Sequence, residues 1–139
     1  MATQQEIADT LASFSLFAEL SSAELQRVAH TFDEAVYPEG ERIIRQGLTG
    51  SAFYIILDGE AAIIVDGQQR ATLGRGEFFG EVSILLGESP VADVVALRPM
   101  RCLALSGPGV EQFLVSHPKV MYRMLQTSAR RLRNANRRD

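Results

Sequence analysis

Residues 78–95 read Phe-Phe-Gly-Glu-Val-Ser-Ile-Leu-Leu-Gly-Glu-Ser-Pro-Val-Ala-Asp-Val-Val, and here residue types and spacing come closest to a chemical site. Gly80 opens a tight backbone and Glu81 follows it. Val82 to Leu86 then make one apolar helical turn ahead of a Gly/Ser/Pro turn. A glycine lets the backbone approach an anion, and the turn after it aims free amide groups at that anion. A carboxylate only accepts hydrogen bonds, so Glu81 suits a hydroxyl donor. The plainer reading of Glu81 is a carboxylate that caps its own short helix.

Other constellations carry less. His30 and His117 are the only histidines, far apart and without a carboxylate pattern, so a metal site and an enzyme built on one are poorly supported. Cys102, the single cysteine, lies between Met100, Leu103 and Leu105 and reads as a small buried hydrophobe. No Ser/His/Asp or Cys/His arrangement stands out, and a non-catalytic chain is expected.

Length and charge bound the setting. At 139 residues the chain is one domain of ordinary size. Residues 1–111 hold 16 acidic and 7 basic side chains, while residues 112–139 hold 1 and 7, a basic tail on an acidic body. The tail reads as a solvated helix face. No leader pattern opens the chain and its apolar runs are too short to cross a bilayer, so a reducing, cytoplasmic protein without a membrane span is expected.

The elements that must position the site follow two periods. Ile7, Leu11, Phe14 and Phe17 have helical spacing over residues 4–19, and Ser21-Ser22-Ala23-Glu24 is a capping box before a second helix. From Val36 the pattern becomes short β-rich runs: 41–45, 52–57, 60–65, 69–73, 78–79, 93–97 and 101–105. Nine of the 11 glycines punctuate residues 40–87, and Asp58-Gly59 and Asp66-Gly67 are the strongest hairpin signals. Ser106 and Pro108 begin another helix, and a last one runs from Pro118 to about Asn134. Its apolar seam is Met121, Leu125, Ser128 or Ala129, and Leu132. That seam either pairs with its twin in a homodimer or packs on its own roll. The fold expected is mainly β: an antiparallel β-roll (double-stranded jelly roll) over residues 35–106, with N-terminal helices in 1–31 and C-terminal helices in 107–136.

The blocks 40–47, 51–60 and 71–81, with the stretch above, resemble the successive strands and turns of cyclic nucleotide-binding domains, the sensor of catabolite activators and cyclic-nucleotide-dependent kinases. The resemblance covers roughly residues 10–136 and identifies 79–95 as a phosphate-binding cassette. It implies that Gly80 and Glu81 serve ribose and phosphate, that amides of Val82 and Ser83 face the phosphate, and that Val91 and Ala92 continue the ligand contacts. It also implies that the last helix meets the base near Ala135 and Asn136, with Asn134 or Asn136 bonding its edge. The implied ligand is cyclic AMP or cyclic GMP. The DNA-binding domain of the transcription regulators is not expected within these residues.

One departure bears on all of this. Aligned on Gly87 and Pro90, the arginine that clamps the phosphate in this family is Val91 here. A charge-assisted bond of that kind is worth about 1.5–3 kcal/mol, or roughly one to two decades of affinity. Alternation along the strand puts Asp93 on the face of Val91, where its carboxylate would repel an anion. Arg75 and Arg98 flank the stretch as substitutes, with hydroxyls from Ser83 and Ser89. Two functions stay open: a small-molecule sensor that passes ligand binding to its flanking helices, free-standing or as the N-terminal piece of a longer regulator, or a degenerate member kept as a ligand-independent dimerisation or docking module.

Overall fold

The computed structural model of the chain describes residues 2–48 and 52–138; the start of the second resembled block, at Ser51, lies outside them. Helix α1 (Gln4–Leu11) is capped by Thr3 and Glu6, and α2 (Ser22–Thr31) by the anticipated Ser21/Glu24 box. The first apolar stretch is not one helix. Bonds from the amides of Ser13 and Phe14 to the carbonyls of Thr10 and Leu11 tighten the end of α1, and a separate 3-10 turn (Ser15–Phe17) follows.

Eight strands come next: β1 (Asp33–Tyr37), β2 (Arg42–Ile44), β3 (Ala52–Asp58), β4 (Ala61–Val65), β5 (Gln68–Leu73), β6 (Phe78–Phe79), β7 (Asp93–Ala96) and β8 (Met100–Ser106). Helix α3 (Glu81–Leu86) lies between β6 and β7, and α4 (Gly107–Ser116) and α5 (Pro118–Arg138) end the chain. The strands form two antiparallel sheets of order β1-β8-β3-β6 and β2-β7-β4-β5, the jelly roll expected.

Three layers result, because successive side chains of one strand point to opposite faces. Phe53, Ile55 and Leu57 of β3, Phe78 of β6, and Leu103 and Leu105 of β8 pack against the helices. Ile56, Phe79, Met100 and Cys102, their neighbours in sequence, face the second sheet and meet Ile44, Ala61, Leu73 and Val94. The first sheet is therefore buried on both sides. Cys102 is in this inter-sheet core, and burial pushes its thiol up to about 12.

Of the two hairpin signals, Asp66-Gly67 joins β4 to β5 as expected. Asp58-Gly59 does not make a hairpin, since β3 and β4 belong to different sheets. Gly59, at φ +103°, is the corner where the chain changes sheet; a Cβ there would meet the carbonyl oxygen of Pro99 at 2.6 Å. A Cβ at Gly67 would meet nothing within 4 Å. Both positions have positive φ, so each alanine variant carries the conformational cost of about 1–3 kcal/mol. Gly59→Ala adds a backbone clash and is expected to lower the chemical-denaturation midpoint clearly more than Gly67→Ala does; equal losses would contradict the corner role.

Candidate functional site

The chain leaves β6 and enters α3 through Gly80, in a left-handed conformation with φ +91°. A Cβ here would lie 2.2 Å from the carbonyl oxygen of Ala52 on β3, so only glycine lets the turn lie this close to the sheet. The tight turn carries Glu81 straight into the protein, where it is 5% exposed. After α3, the amides of Gly87 and Glu88 close the last turn on the carbonyls of Ile84 and Ser83. The returning segment is held by the turn after β2, where Gly47 donates to the carbonyl of Pro90 at 2.8 Å.

Between this cassette, the β4–β5 face and α5 lies a cavity of about 740 Å³. That is within the range of small-molecule sites, roughly 300–1,000 Å³. Ile44, Ile63, Phe79, Val82, Val91 and Val94 make its apolar walls, and α5 closes it with Ser128, Arg131, Leu132, Asn134 and Ala135. The charged groups lining it are Arg70, Glu77, Glu81 and Arg131. Val82, Val91 and Leu132 are each largely exposed and form an apolar rim.

Arg131 joins α5 to the cassette. Its guanidinium lies 3.6 Å from the Glu81 carboxylate, donates to the carbonyl of Phe78 at 2.8 Å, and covers the Phe78 ring at 4.4 Å. Burial raises the Glu81 carboxyl above the ordinary carboxylate range, while its own backbone amide and Arg131 act the other way. A buried acceptor of this kind suits a hydroxyl donor.

Of the residues named from the sequence, Gly80, Glu81, Val82, Ser83, Val91 and Ala92 all line the cavity. Asn136 does not; it is exposed, and Asn134 and Ala135 occupy the α5 wall instead. Asp93 also departs from expectation. Its carboxylate accepts from the amide of Gln46 at 2.7 Å and lies 3.7 Å from Arg42, so it braces the turn after β2 and does not line the cavity. Nor do Arg75 and Arg98 reach in: Arg75 donates to the carbonyl of Leu57, and Arg98 pairs with Glu60. Ser89 is exposed and outside the lining.

Arg131 and Arg70 are the cations that sequence reasoning missed. The signal for Arg131 was present, because Val120, Met124, Thr127 and Arg131 recur at helical spacing and the first two are buried. Among the described residues, no group of three or more His, Cys, Asp or Glu is placed to hold a metal ion, and no helix is long and apolar enough to cross a membrane.

Known proteins agree with this geometry. The family profile described as "Cyclic nucleotide-binding domain" matches residues 34–117. The cGMP-dependent protein kinase egl-4 of Caenorhabditis briggsae is 31% identical over 105 residues, 71% of this chain and 14% of the kinase. The catabolite activator protein of Thermus thermophilus has TM-score 0.76 and 33% identity, covering 87% of this chain and 59% of that one. A regulatory subunit of a cAMP-independent protein kinase A from Trypanosoma cruzi, bound to guanosine, has TM-score 0.71 and 27% identity over 91% of this chain and 50% of that one. The chain thus spans only part of each of these relatives.

The raised Glu81 carboxyl has a consequence for stability. Between the ordinary carboxylate pKa and the raised one, the native state keeps a proton that the unfolded chain has released. The stability this group contributes is complete below the ordinary carboxylate pKa and is lost as pH rises through the raised one. In the empty protein, Glu81→Gln is expected to melt a few degrees above the parent at pH 7. The gap should close towards about pH 4, where the parent's carboxyl is protonated as well. A scanning-calorimetry series over pH checks this, and a lower melting point for the variant at pH 7 would contradict it.

Proposed function

The chain belongs to the cyclic nucleotide-binding domain family, and on that premise we propose that it is a non-catalytic sensor module receiving the nucleoside part of a cyclic nucleotide or related ligand. The observation that carries this reading is the buried Glu81 carboxylate at the mouth of a closed cassette, inside a cavity of about 740 Å³. In this reading Glu81 accepts from a ribose hydroxyl, and the backbone of Val82 and Ser83 faces what the ribose carries. The apolar walls take a flat base, with Leu132, Asn134 and Ala135 of α5 on its outer side. The guanosine held by the T. cruzi relative supports including nucleosides with cyclic AMP and cyclic GMP among the candidates.

Signal output in this reading passes through Arg131. A ligand hydroxyl on Glu81 competes with the guanidinium now paired there, so binding shifts the balance of contacts that hold α5 against the cassette. Calorimetric titration with cyclic AMP, cyclic GMP and guanosine tests the reading. At least one is expected to bind, and Glu81→Gln to weaken it by about 10–100-fold, the worth of a hydrogen bond to a charged acceptor. Absence of binding by all three would sink it.

A second reading, dimerisation or docking without ligand, is favoured by one observation. Met121, Leu125 and Leu132 are respectively 42%, 64% and 65% exposed, while Val120 and Met124 of the same helix face the core. Ser128 and Leu132 of the seam also line the cavity, while Met121 and Leu125 are left exposed, and the seam's spacing suits two paired helices. A homodimer through α5 is compatible with sensing as well as with docking. Leu125→Glu is expected to convert a dimer to a monomer in sedimentation velocity without lowering the melting point of the monomeric fold; an unchanged sedimentation coefficient would rule this interface out.

A further inference from the structure

The cavity's charge pattern narrows the ligand class, granted that the sensor reading holds. An anionic ligand needs a cation whose charge is not already answered. The strand end where the family carries its clamp presents Val91, 54% exposed and lining the cavity, between Pro90 and Ala92. That wall is apolar. Helix α3 is only six residues long and begins with Glu81, so its N-terminus offers little field to an anion.

The remaining lining charges are two of each sign. Arg131 is engaged by Glu81, by the carbonyl of Phe78 and by the Phe78 ring. Glu77 accepts from the amide of Gly74 at 2.8 Å and lines the cavity. Arg70, on the edge strand β5, is exposed, and its field at the cavity is weakened by water. The formal charges of the lining therefore cancel, and desolvating an anion beside buried Glu81 is unfavourable.

Every group that would serve the uncharged part of a nucleotide is nonetheless in place. Glu81 is a buried acceptor for a hydroxyl, and Val82, Ile63 and Leu132 offer apolar surface to a flat ring. Ser128 and Asn134 on α5 supply polar groups for the edge of a heterocycle.

We infer that this pocket selects an uncharged ribonucleoside over the corresponding cyclic nucleotide, because Val91 and the Glu81–Arg131 pair leave a hydroxyl acceptor without a phosphate clamp.

The test is a calorimetric comparison of adenosine and guanosine with cyclic AMP and cyclic GMP on the whole chain. It is repeated for 2′-deoxyguanosine, at two salt concentrations, and for Val91→Arg. A ribonucleoside is expected to bind at least tenfold more tightly than its cyclic nucleotide. Its affinity should change little with salt and fall at least tenfold without the 2′-hydroxyl. Val91→Arg, at an exposed position, is expected to improve cyclic nucleotide binding at least tenfold. Tighter binding of a cyclic nucleotide than of its nucleoside by the parent chain would overturn the inference and leave the sensor reading standing, with Arg70 the cation to mutate. Silence towards both classes would instead remove the sensor reading, and this inference with it.

Discussion

The approach of Gly80 to the carbonyl of Ala52 is the constraint on which the site depends. There is no room for a side chain between the first turn of α3 and strand β3, and the backbone conformation is one that other residues adopt only at a cost. Because the turn is this tight, the next residue is delivered into the protein and not to its surface. Glu81 is thus buried by backbone geometry. The hydrogen-bonding acceptor, the depth of the cavity and the position of α3 all follow from one missing Cβ.

Burying a carboxylate is unfavourable unless it is paired, and the partner comes from the far end of the chain. Arg131 crosses from α5 to Glu81 and also takes up the carbonyl and ring of Phe78, on the same strand that leads into Gly80. Phe78 and Phe79 point to opposite faces, so the strand touches the helical layer and the cavity in consecutive residues. A change at the cassette is therefore one contact away from α5. That helix also carries Leu125, which the monomer leaves largely exposed.

Loss of a phosphate clamp need not mean loss of a site. Val91 stays at the cavity wall, and the segment around it is still held in place, by Gly47 on Pro90 and by Gln46 on Asp93. Gln46 also exchanges hydrogen bonds with Asp66 at the β4–β5 turn, so one loop ties the cassette's exit to the neighbouring hairpin. Asp93 is a brace in that arrangement, and its negative charge is answered by Arg42 and the amide of Gln46.

Much of this was legible from residue order, because it rests on local rules. The Ser21/Glu24 capping box, the β-rich runs from residue 41 onward, the Asp66-Gly67 turn and the Gly80-Glu81 pair depend on near neighbours in the chain, whereas the Thr3/Glu6 box and strand β1 were not anticipated. The absence of an arginine at position 91 was equally plain. What needed the tertiary structure were directions and partners set by packing. Alternation alone aimed Asp93 at the pocket, but the turn after β2 captured it. Asp58-Gly59 has the composition of a hairpin, yet the closeness of Pro99 makes it a corner between sheets. Between Asn134 and Asn136 the sequence could not choose; Asn134 lines the cavity, because rotation of α5 about its axis is decided by where Val120 and Met124 enter the core. That same rotation brings Arg131 to Glu81 across fifty residues of sequence, an encounter no local pattern encodes.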